Sequence, residues 1–411
     1  MPLALVFILL TVALDAIGIG LIFPVMPDLM RDVLHEGLAN AAVWGGVLAA
    51  AFSVMQFVFG PVIGNLSDRY GRRPIMLIAL ATMALDYAVM ALAQSVWLLL
   101  AGRIIAGITA ATAATATAYV ADVSAPEARA RNFGLIGAAF GIGFVLGPMI
   151  GGAASVIDIR APFAIAAALA GVNFVFGCLA LPESLAPGKR RAFSWRRANP
   201  LAAFRAIGRL PGLRRYLVLI FLFTLAMTSY PAIWSYYGAA RFGWDGWWIG
   251  ISLTIFGLSM ALTQAFLVAP AIRAWGETRT GIYGMMLDTV VFVLLGLIRS
   301  GSWALALTPV SALSGVAGPA IQGLMANATP DDQQGELQGV LGSVSAVAMA
   351  LAPLILTPVF WAFTREGAPI YAPGAPFLLS AGLMVICVAI LAGSPTPRVG
   401  AAAPVSPKPE A

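Results

Sequence analysis

The sequence predicts an all-helical membrane protein of twelve transmembrane helices arranged as two six-helix bundles. Hydrophobic residues make up 60% of the 411 residues, and charged residues only 10%. The hydrophobic residues form runs of about 20, the length at which a helix crosses the hydrocarbon of a bilayer. A strongly basic segment after the sixth run divides the series into two equal sets.

The twelve predicted spans are joined by polar connections. Glycine (43) and proline (27) are frequent within and around them, and membrane helices tolerate both better than soluble helices do. The alternating ten-residue strands of a membrane barrel are absent from the sequence. The spans are predicted at residues 3–23, 43–63, 75–93, 97–120, 132–153, 162–181, 214–237, 247–269, 280–299, 303–326, 335–359 and 374–393.

Two six-span sets indicate an internal duplication. Gly71 and Gly276, each in a basic loop, are separated by 205 residues, and so are Pro148 and Pro353 in spans 5 and 11. Two such halves related by an axis along the membrane normal form a transporter architecture with the substrate site between them. The predicted divisions are an N-terminal bundle at 1–185, a basic linker at 186–213, a C-terminal bundle at 214–394 and a disordered tail at 395–411.

Basic residues are distributed unequally between the two sides of the predicted membrane. Of the 24 lysines and arginines, eighteen lie in the linker, the tail and the loops 2–3, 4–5 and 8–9, and five lie in the loops of the opposite side. Lysine and arginine mark the cytoplasmic side, so both termini are expected there. The net charge of +6 thus reflects topology, and no aromatic and basic surface for nucleic acid is evident.

Few residues suit metal or catalytic chemistry. The single histidine, His35, lies in a loop, and the cysteines Cys178 and Cys387 lie in spans 6 and 12, where lone thiols are packing residues. No Gly-x-x-x-x-Gly-Lys loop for a nucleotide is present. We therefore expect no bound metal, no cofactor and no ATP-driven mechanism. A membrane-embedded enzyme would need a catalytic constellation, which the sequence lacks.

Four charged residues lie within the predicted bilayer, away from the ends of the spans: Asp15, Asp86, Arg103 and Asp288. Each costs about 2.5–3.5 kcal/mol at a helix centre on insertion scales, so a functional role is the default interpretation. Burial favours the protonated form of a carboxyl, which suits a proton carrier. Asp86 and Arg103 lie at similar depth on antiparallel spans 3 and 4, so mutual neutralisation is an equal alternative for Asp86. No base is apparent near Asp15 or Asp288, which favours proton handling.

Span 5 has small residues at intervals of four, which permit close contact between membrane helices. Proline adds a bend to the same helix. We expect this helix to pack against the opposite half during a gating movement. The residues concerned are Gly143, Gly147, Pro148 and Gly151.

The segment GNLSDRYGRRP, residues 64–74, concentrates charge between two apolar runs. A topology anchor is one interpretation, although any three arginines would serve that purpose. The pattern is more particular, because Asp68 can pair with an arginine while Gly64 and Gly71 permit close approach and a tight turn.

These segments resemble the major facilitator superfamily over nearly the whole chain. GNLSDRYGRRP is similar to its signature between spans 2 and 3, and AGRIIAGITAATAA in span 4 is similar to another. GAAFGIGFVLGPMIGG in span 5 is typical of the drug:proton antiporter branch. LDAIGIGLIFPVMPDLM in span 1, together with LDYAVM, LPES and RFGWD, resembles the tetracycline efflux proteins.

The resemblance implies a proton-driven antiporter that exports tetracycline or a related amphipathic drug by alternating access in a bacterial inner membrane. It implies proton coupling by Asp15, Asp86, Arg103 and Asp288. It also implies a gating latch between the 2–3 loop, the end of span 4 and the end of span 11. The implied latch residues are Gly64, Asp68, Arg69, Gly71, Arg72, Arg73, Asp122 and Arg129.

The same resemblance places the drug cavity on spans 1, 4, 7 and 10. Polar and aromatic residues there, with glutamines of spans 2 and 8, are candidate drug ligands. A buried glutamine needs a hydrogen-bond partner, so bonding between helices is an equal alternative. The candidates are Gln56, Thr109, Thr112, Tyr230, Trp234, Gln264 and Gln322.

Several positions depart from the tetracycline pattern. Met260 stands where those exporters have a histidine, TSYPAIW replaces part of a Gly-Gln-x-Pro-Ala pattern, and TAATAAT replaces a glycine-rich one. These changes bear on recognition of the metal–tetracycline complex, in which Mg²⁺ would travel chelated to the drug. The alternative function is a transporter of the same fold for another drug or a small metabolite, without tetracycline activity.

Overall fold

The computed structural model describes residues 3–195, 198–200 and 213–393, and every regular element within these ranges is a helix. The predicted basic linker lies partly outside the described residues, at 196–197 and 201–212, and the predicted tail at 395–411 lies wholly outside them. The described part of the linker contains one short 3₁₀ turn, Pro187–Lys189.

The N-terminal half contains six spans and one additional short helix. The short helix, Met26–Leu34, connects spans 1 and 2 and defines what we call the outer side; the opposite side carries the basic loops. Span 4 is broken at residues 110–111. The helices are Leu3–Ile22 (span 1), Leu38–Tyr70 (span 2), Arg72–Leu92 (span 3), Val96–Thr109 and Thr112–Val123 (span 4), Pro126–Ser155 (span 5) and Ala161–Ala180 (span 6).

The C-terminal half repeats this arrangement with interruptions in spans 7, 8 and 10. Span 8 contains one π-helical turn, Thr263–Leu267, and a 3₁₀ turn, Ser314–Val316, interrupts span 10. The helices are Arg214–Met227 and Ser229–Phe242 (span 7), Gly246–Leu262 (span 8), Val268–Leu297 (the end of span 8 and span 9), Gly301–Leu313 and Ala317–Asn327 (span 10), Gln334–Thr364 (span 11) and Ala375–Ala392 (span 12).

Spans 8 and 9 follow one another without a loop. The run Gly246–Leu297 has 52 residues, which at about 1.5 Å per residue is more than twice the hydrocarbon thickness of about 30 Å. Gly276 breaks it, with φ 74° and ψ 164°. Gly71 joins spans 2 and 3 with a similar backbone, φ 113° and ψ 162°. The two glycines that the sequence pairs across the halves thus make the same kind of turn, and the predicted twelve-span fold is confirmed.

The two halves meet on the outer side. Span 2 packs against span 11, and span 5 packs against span 8. Trp361 Nε1 donates to Asn40 Oδ1 (2.6 Å), and Ser235 Oγ donates to the carbonyl oxygen of Phe23 (2.6 Å). Gly45 lies directly against the Tyr236 hydroxyl, so no larger side chain would fit there. Towards the basic side, the glycine faces of spans 5 and 11 (Gly134, Gly137, Gly141, Gly335, Gly339) are open. The structure is therefore closed at its outer side.

The glycines of span 5 pack differently from the expectation. Gly143, Gly147 and Gly151 lie against the backbone of span 1, in their own half. Contact with the opposite half comes instead from Gly152 and from the carbonyl oxygen of the predicted Pro148, both of which lie against Gly250 of span 8. Residues four apart lie on one face of a helix. Gly143, Gly147 and Gly151 therefore face span 1, whereas Gly152, one position further along, faces span 8.

Candidate functional site

A hydrogen-bond relay surrounds Asp288, which is fully buried in span 9. Ser314 Oγ lies 2.5 Å from Asp288 Oδ1 and 2.6 Å from the carbonyl oxygen of Ser311. A hydroxyl has a single hydrogen, so it can donate to only one of these oxygens. A protonated Asp288 satisfies both contacts, because it donates to Ser314 while Ser314 donates to Ser311. The geometry therefore fits the neutral carboxylic acid.

An aromatic cavity of about 100 Å³ lies between the two halves, next to this relay. Most of its polar side chains are already bonded to protein groups: Trp234 Nε1 donates to Ser252 Oγ (2.8 Å), and Ser311 Oγ donates to the carbonyl of Thr308 (2.6 Å). The Tyr230 hydroxyl is buried beside Ser311 and forms no well-aligned hydrogen bond with any described residue. The lining residues are Phe23, Phe144, Tyr230, Pro231, Trp234, Ser235, Leu253, Phe256, Thr308 and Ser311.

Two of the seven predicted drug ligands, Tyr230 and Trp234, line this cavity. Gln264 instead connects spans 8 and 10, because its Nε2 donates to the carbonyl oxygen of Gly315 (3.2 Å) and approaches Met260 Sδ (3.8 Å). This arrangement matches the alternative of bonding between helices, and it places Met260 against span 10.

The remaining four candidates lie outside the cavity. The Thr109 hydroxyl lies within hydrogen-bond distance of two carbonyl oxygens of its own helix, at 3.1 Å and 3.3 Å, where the first segment of span 4 ends. Thr112 is buried at the start of the second segment. Gln56 and Gln322 are both exposed. A role for these four in drug binding stays a prediction.

Among the three carboxyls within the membrane, Asp15 is the one that is least buried. It is half-buried, and among the described residues it forms no ion pair or hydrogen bond. Its charge acts on Tyr87 of span 3, whose hydroxyl lies beside Gly18, one turn further along span 1. A carboxyl without a fixed partner can exchange a proton with water more readily than a paired one.

Asp86 and Arg103 form a buried ion pair between Asp86 Oδ2 and Arg103 Nη2. The Arg103 guanidinium also lies over the ring of Phe52, 5.4 Å from its centre. Asp86 Oδ1 and Arg103 Nε have no hydrogen-bond partner in the part of the chain that the structure describes. The structure thus brings together the two residues that the sequence places at similar depth, and each neutralises the other.

Arg72 is the centre of the charged cluster at the 2–3 loop. Its Nη1 lies 2.7 Å from Asp68 Oδ1, and its Nε lies 3.2 Å from Asp122 Oδ2 at the end of span 4. Arg73 Nη2 donates to the carbonyl oxygen of Cys178 (2.8 Å), which ties the loop to span 6. The predicted contact of this loop with the end of span 4 is therefore present.

Other parts of the predicted latch do not meet in this conformation. Arg129 is exposed and forms no ion pair among the described residues, and Arg69 lies over the ring of Tyr70. Gly64 faces open space. The ion pairs of Arg72 connect span 3 to the ends of spans 2 and 4. Engagement of span 11 stays a prediction, and it would belong to a conformation closed at the basic side.

Glu183 is a central residue of this region that the sequence reasoning missed. Its Oε1 accepts hydrogen bonds from the backbone N–H of Arg72 (2.8 Å) and Leu185 (3.0 Å), and its Oε2 accepts from Arg73 (3.3 Å). It thereby caps the N-terminus of span 3, where a negative charge is favoured. The LPES segment was the available signal, but only the fold brings it beside Gly71.

The linker that follows span 6 also contacts the 2–3 loop. Arg191 N donates to the carbonyl oxygen of Asp68 (3.0 Å), and Asn65 Nδ2 donates to that of Ser194 (3.0 Å). The described start of the predicted linker is thus held against the ends of spans 2 and 3.

Comparison with known proteins identifies the family. The Major Facilitator Superfamily model matches residues 8–353. The chain is 40% identical over 388 residues to the tetracycline resistance protein, class C, of Escherichia coli, with 94% of this chain and 96% of the relative covered. It is 34% identical over 380 residues to the class B protein of Escherichia coli, with 92% of each covered.

Solved structures agree with this result. The crystal structure of the human organic anion transporter MFSD10 (TETRAN) matches with a TM-score of 0.70 at 28% identity, covering 95% of this chain and 100% of that one. The nucleoside transporter NupG, at 14% identity and a TM-score of 0.75, covers 95% and 99% and shows the shared fold. The chain therefore belongs to the Major Facilitator Superfamily, whose members found here are transporters and not enzymes, and it is similar over nearly its whole length to the tetracycline resistance proteins.

Proposed function

We propose that this protein is a proton-coupled antiporter that exports tetracycline or a related amphipathic drug across a bacterial inner membrane, with both termini in the cytoplasm. The observation that carries the proposal is the aromatic cavity between the halves, adjacent to the Asp288 relay. Aromatic walls suit a flat, largely apolar ring system, and a neighbouring acid supplies the coupled proton. The relatives named as tetracycline resistance proteins support the drug class.

Asp288 and Asp15 divide the proton handling between a buried and an accessible site. Asp288 holds its proton in a dry relay, whereas Asp15 is half-buried and unpaired among the described residues. Asp86 and Arg103 contribute through their ion pair, which must loosen before Asp86 can take up a proton. The proton gradient is the energy source, and no resident cofactor is required.

The latch is proposed to control which side of the protein opens. In the present conformation the outer side is closed and Arg72 holds Asp68 and Asp122 together. When the halves rock to close the basic side, the 2–3 loop would meet the end of span 11. Such an exchange of contacts provides the two-state element that alternating access needs.

A Mg²⁺ ion chelated to tetracycline would enter as part of the substrate. The Met260 thioether is a soft ligand, and Mg²⁺ prefers oxygen ligands. Met260 would therefore not bind the ion, and carboxylates such as Asp15 are better suited. Transport without Mg²⁺ is for this reason a useful comparison in any assay.

Transport of a small hydrophilic metabolite is the alternative function. A sugar needs many hydrogen-bonding groups, and the hydroxyls of Ser235, Thr308 and Ser311 in the cavity wall already donate to backbone carbonyls. The human relative, described as an organic anion transporter, suggests a different drug class. A carboxyl relay beside the cavity disfavours anions unless Asp288 is protonated.

The first test is drug-dependent proton movement in inverted membrane vesicles with an acidified interior. Adding tetracycline with Mg²⁺ should release protons from the interior, because antiport exchanges them for the drug. Asp15→Asn should abolish this release, since an amide cannot carry a proton. The matched control is Asp158→Asn, a change at an exposed outer residue that caps the N–H of Arg160; it should leave the release intact.

Proton release that is equal in the parent and Asp15→Asn would contradict the role of Asp15. No release from vesicles that contain inserted protein would exclude tetracycline as the substrate. A panel of other amphipathic drugs would then decide between another drug and the metabolite alternative. Repeating the assay with a chelator in place of Mg²⁺ shows whether the ion travels with the drug.

A further inference from the structure

Two buried polar atoms that form no well-aligned hydrogen bond lie at the wall between the aromatic cavity and the Asp288 relay. Among the described residues these are the Tyr230 hydroxyl, which interacts with Ser311 but forms no well-aligned hydrogen bond, and Asp288 Oδ2. The ring of Tyr230 lies 5.1 Å from the ring of Phe292, one helical turn from Asp288 in span 9, so the two groups lie near each other. A hydroxyl can donate a hydrogen bond and a carboxylate oxygen can accept one, so they are complementary. Buried polar atoms are rarely left unbonded, and such an exception calls for a functional explanation.

The position of Tyr230 brings it into contact with both the aromatic cavity and the surroundings of Asp288. Its ring stacks against Phe256 (5.5 Å between ring centres) in the cavity wall, and it also contacts Phe292, which lies one turn after Asp288 in span 9. On the relay side, Ser314 and Ser311 of span 10 connect Asp288 to the cavity, because Ser311 also lines it. Tyr230 is thus a direct route between the cavity and the acid.

We propose that Tyr230 makes binding of the drug and binding of the proton mutually exclusive, because it contacts both the drug and Asp288. When Asp288 is ionised, the Tyr230 hydroxyl donates to Asp288 Oδ2, and its oxygen accepts a hydrogen bond from a phenol or ammonium group of the drug. Hydrogen bonds in such a chain strengthen one another. When Asp288 is protonated, it donates to Ser314 and no longer attracts the Tyr230 hydrogen, so the drug loses a favourable partner. Drug binding therefore expels the proton, and proton binding expels the drug.

The inference rests on the proposed function and defines the substrate class more closely. The drug must present a flat ring to the aromatic walls and a hydrogen-bond donor to Tyr230. A positively charged donor is favoured, since aromatic faces and an ionised carboxylate both attract cations. The groups that face Asp288 are Tyr230 from span 7 with Ser311 and Ser314 from span 10, and no arginine or lysine pairs with it among the described residues.

The first measurement is tetracycline binding to the purified protein over a range of pH, with Tyr230→Phe as the variant. Phenylalanine keeps the ring contacts and removes the hydroxyl. In the parent we expect tighter binding as the pH rises, with proton release on binding. In Tyr230→Phe we expect binding to be weakened by about 3- to 10-fold at high pH, which is the effect of one hydrogen bond. The increase in affinity with pH that the parent shows should also be lost. Protonation changes of the drug itself affect binding to the parent and to every variant equally, so they cancel when the variants are compared.

Tyr283→Phe is the matched control, because Tyr283 is an exposed tyrosine of span 9 that lies outside the cavity. It should bind like the parent at every pH. In the Asp288→Asn background, Tyr230→Phe should weaken binding by less than in the parent and equally at every pH, because residue 288 can no longer lose a proton and strengthen the bond between Tyr230 and the drug. An undiminished effect of Tyr230→Phe in that background would overturn the relay, since the two residues would then act independently.

The second measurement needs no drug. Infrared absorption detects the protonated carboxyl group of Asp288, assigned by its loss in Asp288→Asn. Because Tyr230 stabilises the ionised form, the band should persist to a higher pH in Tyr230→Phe than in the parent. A shifted band without tetracycline binding would show that the link between Tyr230 and Asp288 holds and that tetracycline is the wrong drug. An unshifted band would overturn the proposal.

Discussion

At the scale of single residues, the ion pair of Asp86 and Arg103 shows how one arrangement can serve stability and transport. Both side chains are nearly excluded from solvent, with 3% and 13% exposure. Removing one partner of a buried pair leaves an uncompensated charge, which costs about 3–5 kcal/mol, whereas removing both charges is often nearly neutral. A comparison of single and double variants therefore separates the two roles.

Arg103→Ala should destabilise the protein strongly, because Asp86 would remain buried without its cation. The double variant Asp86→Asn with Arg103→Gln should recover most of the thermal stability of the parent in detergent. We expect that it does not recover proton-driven drug uptake in vesicles, since neither amide can titrate. Full recovery of uptake would show that the pair is structural only, and failure to recover stability would contradict mutual neutralisation.

At the scale of elements, the turn between spans 2 and 3 depends on a glycine and a distant carboxylate. Gly71 has a positive φ that residues with a side chain rarely adopt, and a Cβ there would collide with Glu183 Oε2. Glu183 in turn accepts the N–H groups of Arg72 and Arg73 at the start of span 3. The turn is therefore specified from two places in the chain, 112 residues apart.

Gly71→Ala should lower stability by about 1–3 kcal/mol, the range for a residue forced into a disfavoured backbone region, in addition to the displacement of Glu183. Gly64→Ala is the matched control, because Gly64 lies within the helix of span 2 and faces open space. Alanine there should be neutral or stabilising by about 0.5–1 kcal/mol. Thermal unfolding in detergent measures both, and equal losses would contradict this account of the turn.

Removing the cap tests the same turn from its other side. Glu183→Ala should lower stability by about 0.5–2 kcal/mol, the usual effect of losing an N-terminal cap. Glu183→Gln should have a smaller effect, since an amide oxygen still accepts one hydrogen bond. Chemical unfolding of the purified variants provides the comparison. If alanine and glutamine behave like the parent, the bonds from Arg72 and Arg73 do not stabilise span 3.

At the scale of the whole molecule, the closed outer side brings carboxylates of the two halves together. Burial raises the pKa of Asp28 in the short helix; Arg31, 3.7 Å away, lowers this pKa, and the negative charge of Asp245 in the opposite half raises it. Nearby, Val25 contacts Gly246, which confirms that these segments adjoin. Asp32 is paired with Arg160 (2.7 Å), and Asp28 is the outer carboxyl whose pKa is raised by burial and by Asp245 of the opposite half.

The sign of this effect follows from proton linkage. An acid whose pKa is higher in the closed conformation binds its proton more tightly there than in a conformation that exposes it to water. Acidification therefore favours the closed outer side. The advantage is complete below the usual carboxyl pKa of about 4 and is lost as the pH rises through the raised pKa of Asp28.

Distance measurements between spin labels at Ile157 and Ile370, exposed outer residues of the two halves, would detect this change. The native cysteines, Cys178 and Cys387, would first be replaced. The short-distance population should decrease with rising pH in the parent and stay high in Asp28→Asn. Asp158→Asn, which removes a carboxyl elsewhere on the outer side, should behave like the parent. An identical pH response in Asp28→Asn would exclude Asp28 as the sensor.

The sequence alone determined the fold class, the family and the identity of the intramembrane charges. Hydrophobic length is set by the thickness of the bilayer, and a charge within a span is conspicuous because it is costly there. The turns at Gly71 and Gly276 could also be predicted from the sequence. A glycine with basic neighbours between two helices is recognisable without knowing how the helices pack.

Only the tertiary structure decided which of these residues act together. Glu183 reaches Gly71 because span 6 returns to the same side as the 2–3 loop, and Ser314 reaches Asp288 because spans 9 and 10 pack together. The aromatic cavity combines Phe23 and Phe144 of one half with Tyr230 and Phe256 of the other. Hydropathy records only whether a residue is apolar, whereas the partner of a buried polar atom depends on which helix faces it across a contact of about 3 Å.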